Sequence, residues 1–149
     1  MYYYDFQVVF QEVPGEISLC FSISGCSMFC KGCHSPFLWK KGNGSLLTEE
    51  VYSSLLNQYK NLATCVLFMG GEWHPKELIK MLQEAKNKNY KTCLYTGEKS
   101  VSKEIYKQLT WLKTGKWKQD LGGLDSKITN QRFVEIKTNK KLNYLFSKN

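Results

Sequence analysis

An α/β fold is what the chain predicts: one domain over residues 1–149, with a mostly parallel sheet and helices packed on it. Three observations carry this expectation. Short apolar runs alternate with segments whose apolar residues recur at helical spacing. Turn residues follow the runs at Gly25, Gly70-Gly71 and Thr96-Gly97. The strand–helix units are also too few for a closed eight-stranded barrel, which takes ~250 residues, so a partial barrel or open sheet is expected.

The elements follow in order. Residues 16–24 (Glu-Ile-Ser-Leu-Cys-Phe-Ser-Ile-Ser) alternate apolar and polar and predict a strand that runs straight into Gly25. Residues 47–59 place Val51, Leu55, Leu56 and Tyr59 at helical spacing, with Thr48 as N-cap and two glutamates in the first turn. Residues 64–69 form a continuous apolar strand ended by Gly70-Gly71. Pro75 suits a first helical turn, and Leu78, Ile79, Met81, Leu82 and Ala85 supply its buried stripe. A further strand spans 90–95, Ser102 caps a helix running to Leu109, and a fourth strand spans 111–117 with Gly115 inside it. A glycine-rich loop at 120–130 precedes a short strand at 133–136.

In parallel sheets, chemistry gathers where strands end and loops begin. The loops after Ser24, Met69 and Tyr95 all follow strand C-termini, so they should share one edge and one site.

Composition sets the class. At 42% hydrophobic and 14% aromatic residues the chain is a globular one. Its longest apolar stretch is too short to cross a bilayer, and the start lacks the pattern of a secretion signal. A cytoplasmic protein without a membrane role is expected. The net charge of +8 is uneven: residues 1–75 carry four lysines against six acids (net −2), and residues 76–149 carry sixteen lysines and Arg132 against seven acids (net +10). Lysine dominates, whereas readers of nucleic acid favour arginine at base edges. Nucleic acid is therefore not the expected partner.

Of six cysteines, Cys20, Cys65 and Cys93 lie in apolar runs and read as small core residues. The other three form Gly-Cys-Ser-Met-Phe-Cys-Lys-Gly-Cys-His, a Cys-x3-Cys-x2-Cys loop of Cys26, Cys30 and Cys33. Structural zinc usually takes four protein ligands, and a 4Fe–4S cubane usually takes four cysteines. Three thiolates leave one iron of a cubane open to a small molecule bearing an amine and a carboxylate. Met28, Phe29, Phe37 and Trp39 supply apolar bulk around the loop.

Downstream, Gly70-Gly71-Glu72 ends the second apolar strand: glycines admit close approach to the backbone, and a carboxylate accepts protons from an ammonium group. The cysteine loop with this segment resembles the radical S-adenosylmethionine superfamily, in which the open iron binds the amino and carboxylate groups of the methionine moiety. The resemblance implies that Gly70, Gly71 and Glu72 bind that amino group. Thr96 and Gly97 are further candidates for contact with the cofactor. Cys30-Lys31-Gly32-Cys33-His34, Leu94-Tyr95-Thr96-Gly97, Gly122-Gly123-Leu124-Asp125 and residues 129–133 are similar to the activating proteins of anaerobic ribonucleotide reductase.

That narrower resemblance implies a protein substrate: a glycine near the C-terminus of the large reductase subunit, converted to a glycyl radical, with flavodoxin or ferredoxin as electron donor. The basic C-terminal half, Lys137, Lys140 and Lys141 included, is a candidate surface for the large subunit. One departure stands out: the family commonly continues Gly-Gly-Glu with proline, whereas Trp73 follows here and Pro75 comes later. Trp73 and His74 either line the site or pack at a helix start. Two alternatives stay open: a radical enzyme acting on a small molecule, and a zinc-binding nucleic-acid module with His34 as fourth ligand.

Overall fold

The computed structural model describes residues 1–147. Eight strands form one open sheet: β1 (Tyr2–Val9), β2 (Ser18–Ile23), β3 (Ser45–Leu46), β4 (Cys65–Met69), β5 (Lys91–Tyr95), β6 (Trp111–Thr114), β7 (Arg132–Glu135) and β8 (Lys140–Lys141), in the order β3-β1-β2-β4-β5-β6-β7-β8. The centre, β2-β4-β5-β6, is parallel. Both flanks are antiparallel. The sheet is thus mixed rather than mostly parallel, and it is not closed.

The flanks have a physical cause. A parallel neighbour needs a crossover of a dozen or more residues, whereas an antiparallel one needs only a turn. Pro14 and Gly15 (φ 81°) turn the chain between β1 and β2, so β1 folds back as a hairpin partner. β1 is not among the strands expected from the sequence, although Tyr-Tyr-Tyr-Asp-Phe-Gln-Val-Val has the aromatic and β-branched content of one. The predicted 111–117 strand stops at Thr114, because Gly115 adopts φ 100°.

Three helices are present among the described residues: α1 (Glu49–Gln58), α2 (Pro75–Asn87) and the single turn α3 (Lys103–Tyr106). The expected caps form. Thr48 Oγ1 accepts from Val51 N at 3.1 Å, and Ser102 Oγ accepts from Ile105 N at 3.4 Å. All three helices lie on one face of the sheet. There Leu19, Phe21, Ile23, Val66, Phe68 and Leu94 meet Tyr52, Leu56, Leu78, Leu82 and Ile105. Phe21 stacks on Phe68 at 5.5 Å, and Tyr52 reaches through to donate to the Met81 carbonyl at 2.7 Å. No described helix is long and apolar enough to cross a membrane.

Strand alternation sends the intervening residues to the opposite face. Cys20, Cys65, Leu67 and Cys93 pack there with Trp111, Phe133 and Leu142. All six cysteines are free, as a core role for three of them requires.

Candidate functional site

The parallel centre brings the C-terminal ends of β2, β4, β5 and β6 to one edge, and the loops that follow them line one cavity of about 190 Å³. Cys26, Cys30 and Cys33, Gly70 and Glu72, and Thr96 and Gly97 all contribute to its wall. Gly71 stays outside it. Its φ of 113° needs glycine, and a Cβ there would rest against Ile23 Cγ1 and Met1 Sδ at 3.5 Å.

The cysteine loop is pinned at its base, where Gly25 N and Cys26 N both donate to the Leu38 carbonyl at 2.7 and 3.0 Å. Within it, Cys33 N donates to the Cys30 carbonyl at 3.1 Å, and Ser35 N donates to Cys33 Sγ at 3.3 Å. Phe29 turns through φ 48° and points outward, 59% exposed. Phe37 is exposed as well. The apolar wall around the thiols therefore comes from Met28, Leu38, Trp73 and Trp117; of the four residues expected from the sequence, Met28 lines the cavity and Phe29, Phe37 and Trp39 do not.

Trp73 explains both the departure after Glu72 and the glycines beside it. Its indole Nε1 donates to the Ser24 carbonyl at 3.1 Å. A Cβ on Gly25 would stand 2.9 Å from that nitrogen, and one on Gly70 only 2.5 Å from Trp73 Cη2. The space over Gly70 belongs to the indole ring, which ties the Gly70–Glu72 turn to the cysteine loop. His74 caps α2 through its backbone and does not line the cavity.

Glu72 is the carboxylate of the site, and burial pushes its pKa up from the ordinary value. The Thr96 hydroxyl donates to Glu72 Oε1 at 2.5 Å and accepts from Glu98 N at 3.0 Å. Thr96 is thus spent on orienting Glu72, while Glu72 Oε2 is buried without a partner. Trp117 Nε1 is likewise a buried donor with nothing to bond. One orphaned acceptor and one orphaned donor on the same wall suit a ligand that offers both kinds of group.

Sequence reasoning misses Lys113. It sits at the end of β6 with its side chain on the face away from the helices, and lines the cavity with the thiols and Glu72. Its ammonium donates to the Gly115 carbonyl at 2.9 Å and the Thr96 carbonyl at 3.3 Å, and lies 5.9 Å from the Tyr95 ring. Burial pulls its pKa down to about 8, against the opposing pull of the thiols and Glu72. Alternation in Trp-Leu-Lys-Thr was the available signal, since it sets Lys113 beside Trp111 on the face the helices leave bare.

His34 is exposed, stacks on Trp117 at 4.8 Å between ring centres, and lies outside the cavity. Among the described residues no three His, Cys, Asp or Glu side chains are gathered closely enough to hold one metal ion. A cubane does not ask for that convergence, because each thiolate meets a different iron.

A parallel sheet edge here presents three free thiols, a carboxylate and a buried ammonium in one cavity, a donor set that suits an iron–sulfur cluster. The match to known families agrees: residues 14–149 fit the family described as a 4Fe-4S single cluster domain, and the chain belongs to that family. The match supports iron–sulfur binding and a 4Fe–4S cluster as cofactor. Comparison with curated proteins and with solved structures gave no match.

Proposed function

We propose that this protein is a radical S-adenosylmethionine activase that installs a glycyl radical on the large subunit of anaerobic ribonucleotide reductase. The observation that carries the reading is the single cavity in which three thiols meet Glu72, Thr96 and Lys113. A 4Fe–4S cluster held by these thiols would supply one-electron reduction of bound S-adenosylmethionine, the chemistry an activase needs to abstract a hydrogen atom from a glycine.

The chain's own residues have the following parts. Cys26, Cys30 and Cys33 would hold three irons of the cluster. Glu72 Oε2, buried without a partner among the described residues, would accept from the ammonium of the methionine moiety. Lys113, on the same cavity wall, would offset the charge of the thiolates and pair with a carboxylate bound there. Met28, Leu38, Trp73 and Trp117 keep water from the cluster, which tunes its potential. Tyr95, Lys113 and Gln131 are shared with an adjoining groove of about 710 Å³, bounded by Glu12, Leu124 and Phe146. That groove would give a glycine-bearing protein segment a way in to the thiol cavity. Flavodoxin or ferredoxin supplies the electron in this reading, and a cytoplasmic setting keeps the thiols reduced.

The test is anaerobic. The iron-loaded, reduced protein is mixed with S-adenosylmethionine and the large subunit, and a glycyl-radical doublet is sought by electron paramagnetic resonance. A doublet is expected. Cofactor cleavage without it would point to a small-molecule substrate, and neither outcome would overturn the radical reading.

A further inference from the structure

Behind the thiol cavity lies a second cavity, of about 680 Å³, whose charged lining is Lys99, Lys116, Lys118 and Arg132 against Glu98. Four cations against one carboxylate leave it net +3. All four are exposed, and among the described residues none forms an ion pair. They come from three places that the topology gathers at the edge of the site: Lys99 after β5, Lys116 and Lys118 after β6, and Arg132 at the start of the antiparallel β7. The only arginine of the chain and part of its C-terminal charge excess are concentrated here.

The partition between the two cavities is thin. Met28 and Gly97 line both. Met28 lies over Gly97 so closely that a Cβ there would stand 3.2 Å from Met28 Cγ. Met28 is also two residues from Cys26 and two from Cys30, so this surface is the outer side of the thiol loop itself. No aromatic side chain lines the cavity, and single-stranded nucleic acid is usually held on stacking aromatics. An acidic protein needs only the charge.

We propose that this cationic surface docks an acidic protein carrying a one-electron cofactor, so that the electron enters the site past Met28. The inference rests on reading the thiol loop as the seat of the iron–sulfur cluster. The step balances simply: the donor is oxidised by one electron, the cluster is reduced by one, and no atom or proton changes hands.

The experiment uses the iron-loaded full chain and an acidic flavodoxin bearing flavin mononucleotide. Its dissociation constant is measured for wild type, for the triple variant Lys99→Glu, Lys116→Glu, Lys118→Glu, and for Lys60→Glu, Lys86→Glu, Lys107→Glu, which changes the net charge equally at exposed positions outside the cavity lining. The first triple is expected to weaken docking at low salt by about tenfold or more and to flatten its salt dependence, while the distal triple has a much smaller effect. A neutral photoreduced mediator should reduce the cluster equally in all three, which separates lost docking from a damaged site. Equal affinity in wild type and the first triple, or equal losses in both triples, overturns the proposal. Cofactor cleavage with chemical reductant alongside patch-independent docking refutes this inference alone. Patch-dependent docking without any cofactor cleavage refutes the activase reading alone.

Discussion

The two faces of the sheet are built from alternate residues of the same strands, yet they carry different chemistry. Toward the helices β2, β4 and β5 send Leu19, Phe21, Ile23, Val66, Phe68 and Leu94. Away from them the same strands send Cys20, Cys65, Leu67, Cys93 and Tyr95, and β6 adds Lys113. The helix face is large, apolar and interlocked, which is where burial stabilises the fold. The other face mixes three thiols with Leu67, Trp111 and Phe133 and is covered by loops and the short C-terminal elements rather than by long helices, so a site can open at its edge. Its buried thiols stay protonated: burial pushes Cys20 and Cys65 up to about 12 and Cys93 well above its ordinary value. The thiols that line the cavity lie in the loop beyond the strand ends.

Breaking each face in turn should give opposite signatures. Cys30→Ala is expected to abolish retention of the cluster while leaving the far-ultraviolet circular dichroism unchanged. Cys93→Ala should keep its iron. Iron content and visible absorbance after desalting check both. On the helix face, Phe68→Ala should cost about 3–5 kcal/mol in urea unfolding, because a fully buried ring leaves a cavity between β4 and α1.

Glu72→Gln should weaken S-adenosylmethionine binding about ten- to a hundredfold, the worth of a charge-assisted hydrogen bond. The cluster should stay intact, and calorimetric titration of the loaded protein reads the effect.

Lys113→Met sharpens the contrast through pH. The folded-state pKa of Lys113, about 8, lies below its ordinary 10.5, so the folded chain binds fewer protons than the unfolded chain between those values. Stability from this group is therefore smallest at neutral pH and rises across that window. The variant should be the more stable at pH 7, and its advantage should shrink toward pH 10. The buried thiols work in the opposite direction at alkaline pH, but they cancel in the difference between the two proteins. The smallest stability effect belongs to Thr96→Val, about 1–2 kcal/mol for the two hydrogen bonds of its hydroxyl, one to Glu72 Oε1 and one from Glu98 N.

The site was legible in the sequence wherever it depends on local pattern. Apolar strands followed by Gly25, Gly70 and Thr96 suffice to place three loops on one edge, and the spacing of Cys26, Cys30 and Cys33 suffices to single out the thiols that line the cavity there. What depends on distant packing was not legible. Lys113 in a strand reads as solvent-facing until the turn at Gly115 and the segment carrying Trp117 and Gln131 enclose it. Gly70 reads as room for a ligand until the ring of Trp73 fills that room. The antiparallel pairs β1–β2 and β7–β8 follow from the short connections at Pro14-Gly15 and after β7, whereas residues 115–131 join β6 to its antiparallel partner β7; periodicity is the same for both strand directions.

The most direct test of the central claim is 5′-deoxyadenosine formation by the anaerobically reconstituted, reduced protein given S-adenosylmethionine. Formation by wild type that disappears in Cys30→Ala is the predicted result. A protein that loads with zinc, stays colourless and cleaves nothing would contradict the account.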